Sequence, residues 1–94
     1  MLSQDKLQFW SEIFKGLANK NRVKIADLLS HNQQMSVTEL SDELEISFKN
    51  TSRNLRILSN LEIVDYKGTK DRVYYFLNPK LKREVKEVFK IMLR

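Results

Sequence analysis

The sequence has no cysteine and only one histidine, one proline and two glycines among its 94 residues. Without thiols it forms neither disulfide bonds nor thiolate metal sites. So few glycines and prolines leave little room for long loops or a turn-rich β-sandwich. We find no glycine-rich phosphate loop, no Cys/His pair and no second histidine for a catalytic triad. The chain is therefore predicted not to be an enzyme.

Long apolar runs are also missing. The N-terminal MLSQDKLQFW lacks the continuous apolar segment of a secretory signal, and no stretch approaches the ~20 apolar residues of a membrane span. Hydrophobic residues make up 41% and charged residues 31% of the chain, a balance typical of globular proteins. We expect one domain, residues 1–94, in a soluble cytoplasmic protein that does not cross a membrane.

Charge is unevenly distributed along the chain. The net charge of +5 favours anionic partners such as nucleic acid, anionic lipid or acidic protein. Residues 32–46 contain four acidic side chains and no basic one. Residues 47–60 contain three basic side chains (Lys49, Arg53 and Arg56) and no acidic one. This acid-free segment is the strongest candidate for contact with a polyanion.

Hydrophobic periodicity predicts five helices, at about 4–17, 20–30, 36–44, 47–60 and 80–94. Ser36 and Glu39 have capping-box spacing, and Ser47 is placed to cap the fourth helix after a three-residue break. Between residues 63 and 77 the chain reads IVDYKGTKDRVYYFL, which predicts a β-hairpin with its turn near GTKD. Pro79 suits the first turn of the fifth helix. The predicted fold class is mostly α with a small two-stranded hairpin.

Two capped helices joined by a short turn form a helix-turn-helix, here residues 36–60, and the hairpin of residues 63–77 is then a wing. On the fourth helix Thr51, Leu55 and Leu58 form an inward stripe, with Phe48 on the same side. The opposite face would enter the DNA major groove. The predicted DNA-binding residues of this recognition helix are Ser47, Lys49, Asn50, Thr51, Ser52, Arg53, Asn54 and Arg56. Those of the wing are Lys67, Lys70 and Arg72.

These residues are expected to divide by chemistry. Arginine and asparagine can form paired hydrogen bonds with guanine and adenine, so Asn50, Ser52 and Arg53 are predicted to contact bases, with Asn54 a further candidate. The others are predicted to contact the DNA backbone, which positions the protein without reading sequence. They are Lys49, Thr51, Arg56, Lys67, Lys70 and Arg72.

Three segments together resemble the winged helix-turn-helix repressors of the ArsR/SmtB class: IFKGLANKNRVKIADLLS, MSVTELSDELEISFKNTSRNLRILSNLEIV and DRVYYFL. LANKNRVKI matches the family's Leu-Ala-(x)3-Arg-x-x-Ile, and SFKNTSRNLRIL matches its recognition helix. The resemblance covers residues 13–77. It implies a repressor dimer whose first and last helices pair, and an effector that lowers operator affinity. The effector is left open: a small molecule held between helices, a partner protein, a covalent switch, or none.

The chain departs from the family pattern in its turns and at the family's metal positions. Glu45 and Glu62 stand where the family often has glycine, Asp71-Arg72 replaces the usual Gly-Arg of the wing, and Asn54 replaces a histidine. Metal-sensing members use cysteines flanking the third helix, where this chain has Ser36 and Thr38, or ligands on the last helix, which has no histidine here. His31 alone makes no site. No metal site and no cofactor are therefore predicted.

Both terminal helices have apolar arcs broader than one small core requires. The broad arcs predict that helices 4–17 and 80–94 also pair with a second copy. The predicted dimer-interface residues are Leu2, Phe9, Trp10, Leu81, Val85, Val88, Phe89 and Met92. Alternatives left open are a single shared core, contact of the basic last helix with an anionic membrane surface, and a winged helix acting in protein interaction, DNA architecture or replication without regulatory specificity.

Overall fold

The computed structural model describes residues 1–93, which form five helices and a three-stranded antiparallel sheet. The elements are α1 (Gln4–Leu17), α2 (Lys20–His31), β1 (Met35–Ser36), α3 (Val37–Leu44), α4 (Phe48–Asn60), β2 (Val64–Gly68), β3 (Val73–Leu77) and α5 (Arg83–Met92). The predicted winged helix-turn-helix is confirmed. None of the helices within residues 1–93 combines the length and apolar character needed to cross a membrane.

The wing contains one strand more than predicted. The sheet order is β1-β3-β2, and the two-residue β1 pairs Met35 with Tyr75 and Ser36 with Tyr74. Two residues are too short to show the alternation by which a strand is recognised in sequence. This added strand joins the segment before α3 to the middle of β3.

The predicted helix caps are present. The Ser36 hydroxyl accepts a hydrogen bond from the Glu39 backbone N–H at 3.1 Å, and the Glu39 carboxylate accepts one from the Ser36 N–H at 2.9 Å. At the start of α4 the Ser47 hydroxyl accepts from the Asn50 N–H at 3.0 Å. These bonds satisfy amide groups that have no partner within the helix. Local sequence therefore fixes where both helices of the helix-turn-helix begin.

Two glutamates occupy left-handed backbone conformations. Among residues 1–93 the non-glycine residues with positive φ are Glu45, at 55°, and Glu62, at 59°. Both close a helix, since Ile46 N–H donates to Ser41 O at 3.3 Å and Ile63 N–H donates to Leu58 O at 3.0 Å. A side chain disfavours this conformation, so both glutamates, which stand where the family often has glycine, occupy strained positions.

The hydrophobic core lies between the helices and the buried side of the sheet. Its fully buried members include Ile25, Ala26, Leu40, Leu55, Leu58 and Ile63. Gly16 of α1 packs so closely on Leu61 that a Cβ there would overlap the leucine side chain. Phe48, which was predicted on the same side of α4 as its inward stripe, is instead 58% exposed, and Phe14 of α1 is 54% exposed. Phe48 is the first residue of α4, one end of the stripe that Thr51, Leu55 and Leu58 bury.

The fifth helix begins later than predicted. The Asn78 side-chain oxygen accepts from Lys80 N–H at 2.9 Å, and Leu81 N–H donates to Asn78 O at 3.0 Å. These bonds form a turn that contains Pro79, so the prediction that Pro79 lies in the first helical turn is wrong. Helix α5 starts at Arg83. Arg94, which the predicted helix included, lies outside the described residues.

Candidate nucleic-acid interface

Helix α4 has one buried face and one cationic face. Thr51, Leu55 and Leu58 are 0% exposed, whereas Lys49, Arg53 and Arg56 are exposed on the other side. The Thr51 hydroxyl donates to Ser47 O at 2.9 Å. The predicted contact of Thr51 with DNA is therefore wrong. Its position four residues before Leu55 places it on the core stripe, and its side chain is used inside the chain.

Five side chains of α4 line a shallow surface groove of about 380 Å³: Phe48, Lys49, Ser52, Arg53 and Arg56. Four of these five were predicted to bind DNA, and the structure brings them onto one surface. Asn50 is exposed in the same first turn. Ser47 is exposed too, but its hydroxyl is engaged in capping the helix. No acidic residue occurs in α4, so the groove presents uncompensated positive charge.

The wing tip stands beside the start of α4. A second groove, of about 550 Å³, is lined by residues 36–39, Phe48 and residues 69–73, which include Lys70 and Arg72. Thr69 stiffens the tip, because its N–H donates to Arg72 O at 2.7 Å and its hydroxyl accepts from Arg72 N–H at 3.2 Å. Predicted DNA contacts from two separate elements therefore meet around Phe48.

Glu39 at the edge of this second groove is electrostatically stabilised. Hydrogen bonds from the backbone N–H and the side chain of Ser36 lower the pKa of its carboxyl group, and the nearby charge of Arg72 acts in the same direction. Glu39 is therefore held ionised by the helix cap. Its negative charge lies next to the wing cation and reduces the positive potential on that side of the groove.

Two tyrosines of the wing lie side by side on neighbouring strands. The rings of Tyr66 and Tyr75, cross-strand partners, lie 5.4 Å apart between centroids. Burial raises the pKa of the Tyr75 hydroxyl, and the positive charge of Arg56 opposes that shift. Lys67 on the same strand as Tyr66 is exposed.

Asn54 is held by a residue that sequence reasoning did not single out as functional. Arg22 Nη1 donates to Asn54 Oδ1 at 3.0 Å, while Arg22 Nε donates to Gly16 O at 2.5 Å. One guanidinium thus joins the end of α1 to the recognition helix, and Asn54 is turned partly inward. Arg22 and Asn54 are 32 positions apart. The one sequence signal that could have found Arg22 is its place as the arginine of the family-like segment LANKNRVKI.

The predicted dimer residues divide into two groups. Leu81, Val85 and Phe89 are buried in the chain's own core, so the prediction that they form a surface for a second copy is wrong. They occupy the inner half of a wide apolar arc. Leu2 and Met92 are exposed, and Phe9, Trp10 and Val88 are half-buried. Exposed apolar residues that the prediction missed are Leu7, Phe14 and Ile91.

The histidine and the family's metal positions have ordinary structural roles. His31 Nδ1 lies 2.9 Å from Asp27 O and 3.4 Å from an Asp27 carboxylate oxygen at the end of α2. Ser36 caps α3, and Thr38 is exposed. Within the described part of the chain, no three histidine or carboxylate side chains come together in an arrangement suited to a metal ion.

Comparison with known proteins agrees with this architecture. Residues 19–66 match the family described as bacterial regulatory protein, arsR family. Over 80 residues the chain is 35% identical to the cadmium resistance transcriptional regulatory protein CadC homolog of Staphylococcus aureus, covering 84% of this chain and 66% of that protein. The chain thus spans just under two thirds of that relative's length.

Solved structures share the fold along nearly the whole chain. The transcriptional regulator HlyU of Vibrio vulnificus is 31% identical, with a TM-score of 0.77 over 95% of this chain and 88% of that one. The homodimeric winged helix-turn-helix DNA-binding domain Mb0332 of Mycobacterium bovis is 24% identical, with a TM-score of 0.79 over 98% and 86%. The match at residues 19–66 includes α2, the helix-turn-helix and the start of the wing, and this chain belongs to the ArsR family of bacterial regulatory proteins.

Proposed function

We propose that this chain is a homodimeric, sequence-specific repressor that binds duplex DNA through α4 and the wing and occludes a promoter. The observation that carries the proposal is the joined cationic surface around Phe48, to which α4 contributes Lys49, Arg53 and Arg56 and the wing contributes Lys70 and Arg72. A helix presenting arginine and asparagine from its first turns is suited to reading the major groove.

Dimerisation is supported by apolar side chains that the chain leaves exposed. Leu7 and Phe14 on α1, and Ile91 and Met92 on α5, are all exposed. The start of α5 lies beside α1, since Lys82 Nζ, at the N-cap of α5, lies 4.2 Å from the centre of the Phe9 ring. Exposed apolar side chains on both terminal helices are suited to a two-fold contact with a second copy. Mb0332, which has the same fold, is a homodimer.

We further propose that DNA binding does not respond to transition metals through the family's usual sites. The name of the CadC homolog links that protein to cadmium. Here the chain has no cysteine, and Ser36 and Thr38 stand at the third-helix positions. Adding zinc or cadmium at micromolar concentration to a protein–operator complex should leave its dissociation constant unchanged. Release of DNA by either ion, reversed by a chelator, would contradict this part of the proposal.

The decisive experiment is selection of random duplexes on the purified protein at ~150 mM salt, followed by sequencing of the retained DNA. We expect an inverted repeat with half-site centres ~34–36 Å apart, one helical turn, because a two-fold dimer presents two α4 helices. Salt-sensitive retention without an enriched motif would indicate an architectural binder. If no duplex is retained, the cationic surface serves a protein partner and the proposal is wrong.

A further inference from the structure

Phe48 is an exposed aromatic side chain at the centre of a cationic surface. It is 58% exposed, whereas Thr51 and Leu55 further along the same helix are fully buried. It is the first residue of α4, immediately after the Ser47 cap. The N-terminal residues of a helix-turn-helix recognition helix are those that reach base edges. Its exposure therefore falls where a side chain is best placed to read DNA.

The residues around Phe48 indicate which part of the DNA its ring would contact. It lines one groove with Lys49, Ser52 and Arg53, and a second groove with Lys70 and Arg72. If Lys49 on one side and Lys70 and Arg72 on the other contact phosphates, the ring between them faces the floor of the major groove. There the one methyl group among the four base edges is the C5-methyl of thymine, which apolar side chains contact.

We propose that the Phe48 ring packs against a thymine methyl group and so specifies thymine at one position of each half-site. The inference rests on the proposed function, because it requires α4 to enter the major groove. It adds an apolar element to a surface otherwise made of hydrogen-bond donors and charges. Arg53 would select guanine through hydrogen bonds, whereas Phe48 would select thymine through contact with its methyl group.

Replacing thymine by deoxyuridine tests the contact, since it removes the methyl group and leaves base pairing intact. Using the operator enriched by selection, each thymine would be replaced in turn and equally in both half-sites. Burial of one methyl group corresponds to about fourfold in affinity, ~0.8 kcal/mol. Because both half-sites lose a methyl group, we expect deoxyuridine at one symmetric position to weaken binding by the wild type about 15-fold. The same substitution should not weaken binding by Phe48→Ala.

Two control variants separate the methyl contact from general loss of binding. Phe48→Leu keeps an apolar side chain and should retain part of the deoxyuridine penalty. Lys49→Ala, at the adjacent exposed position, should bind more weakly to every duplex yet keep the full penalty. Circular dichroism would verify that each variant folds, as expected for substitutions at exposed positions.

The outcomes separate failure of this inference from failure of the proposed function. Selective binding with no deoxyuridine-sensitive position, or with equal sensitivity in wild type and Phe48→Ala, would overturn the thymine contact alone. An enriched half-site that contains no thymine would do the same. Absence of any selective duplex binding would overturn the proposed function and the contact together.

Discussion

Single side chains on the cationic surface are expected to differ in what they contribute to binding. Arg53 projects from the exposed face of α4, and its guanidinium can donate two hydrogen bonds to one guanine. Lys70 sits at the wing tip, where a flexible ammonium group is suited to a phosphate. Position and chemistry thus predict a specificity residue and an affinity residue on one surface.

Replacing Arg53 by alanine should relax sequence preference. We expect a loss of ~1–3 kcal/mol on the operator and little change on a scrambled duplex, because the arginine's paired hydrogen bonds depend on the base. Fluorescence anisotropy titrations would give the dissociation constants for both duplexes, and their ratio measures sequence preference. A variant that discriminates as well as the wild type would show that Arg53 does not read a base.

Replacing Lys70 by alanine should instead weaken binding to all duplexes equally. Each phosphate contact releases condensed counterions, so the slope of log K against log salt should become shallower by about one unit. The titration would be run between ~50 and ~200 mM salt. Glu43→Ala, on the exposed side of α3, is a charge-changing control. An unaltered slope for Lys70→Ala would mean that the wing tip does not touch phosphate.

Backbone conformation predicts a stabilising change at Glu62. Its φ of 59° costs a residue with a side chain ~1–2 kcal/mol, whereas glycine adopts it freely but loses more entropy on folding. We expect Glu62→Gly to raise the free energy of unfolding by ~0.5–1 kcal/mol in urea, with an unchanged m-value. The matched substitution Glu43→Gly, within helix α3, should destabilise by ~1 kcal/mol. Destabilisation by both would show that glycine's entropic cost dominates at Glu62.

Among contacts between elements, the hydrogen bonds of the Arg22 side chain are expected to contribute most to the position of the recognition helix. It joins the last turn of α1, through Gly16 O, to Asn54 on α4. Because α1 is a proposed dimerisation helix, this link connects the arrangement of the dimer to the orientation of the recognition helix. Helix α4 is therefore positioned by the Arg22–Asn54 hydrogen bond as well as by the packing of its buried side chains.

A double-mutant cycle would measure this link. Arg22→Ala, Asn54→Ala and the double variant should show a coupling energy of ~0.5–1.5 kcal/mol in urea unfolding, because the two side chains form one part-buried hydrogen bond. Arg22→Lys retains the charge but not the planar fork that spans both partners, and should restore little. Additive effects of the single substitutions would show that the bond contributes nothing.

At the scale of the whole molecule, the chain is elongated, with principal extents of 47 × 24 × 22 Å. Residues 1–8 are exposed throughout, and the aromatic rings of Trp10 and Phe14 stack at 5.4 Å on the same helix. A helix that leaves so much apolar surface uncovered has little to stabilise it within one chain. A second copy would supply the missing contacts.

We expect Phe14→Glu to abolish dimerisation, because it places a charge in the proposed apolar contact. Sedimentation velocity at micromolar concentration should show a monomer, and operator affinity should fall because two half-sites are no longer held together. Gln8→Glu introduces the same charge at an exposed position of the same helix and should remain dimeric. A Phe14→Glu variant that still sediments as a dimer would place the interface elsewhere.

Much of this architecture was predictable because its determinants are local. Ser36, Glu39 and Ser47 mark helix starts by short-range spacing, and the alternation after Ile63 marks the wing. Other features depend on tertiary contacts that no local pattern contains. Periodicity gives the width of the α5 arc but not which half faces the core, so Val85 was assigned to the wrong surface. Periodicity likewise placed Phe48 with the buried stripe of α4 and gave no sign that its side chain is exposed.

The left-handed glutamates have a consequence for how this sequence can change. Glutamate codons become glycine codons by a single base change at the second position, so glycine at Glu45 or Glu62 is one mutational step away. Relief of backbone strain there requires no compensating change elsewhere in the chain. Laboratory evolution under heat selection should therefore reach these two substitutions early and independently in parallel lineages. Their appearance in replicate populations would identify, from genetics alone, the same two turns that the backbone angles mark.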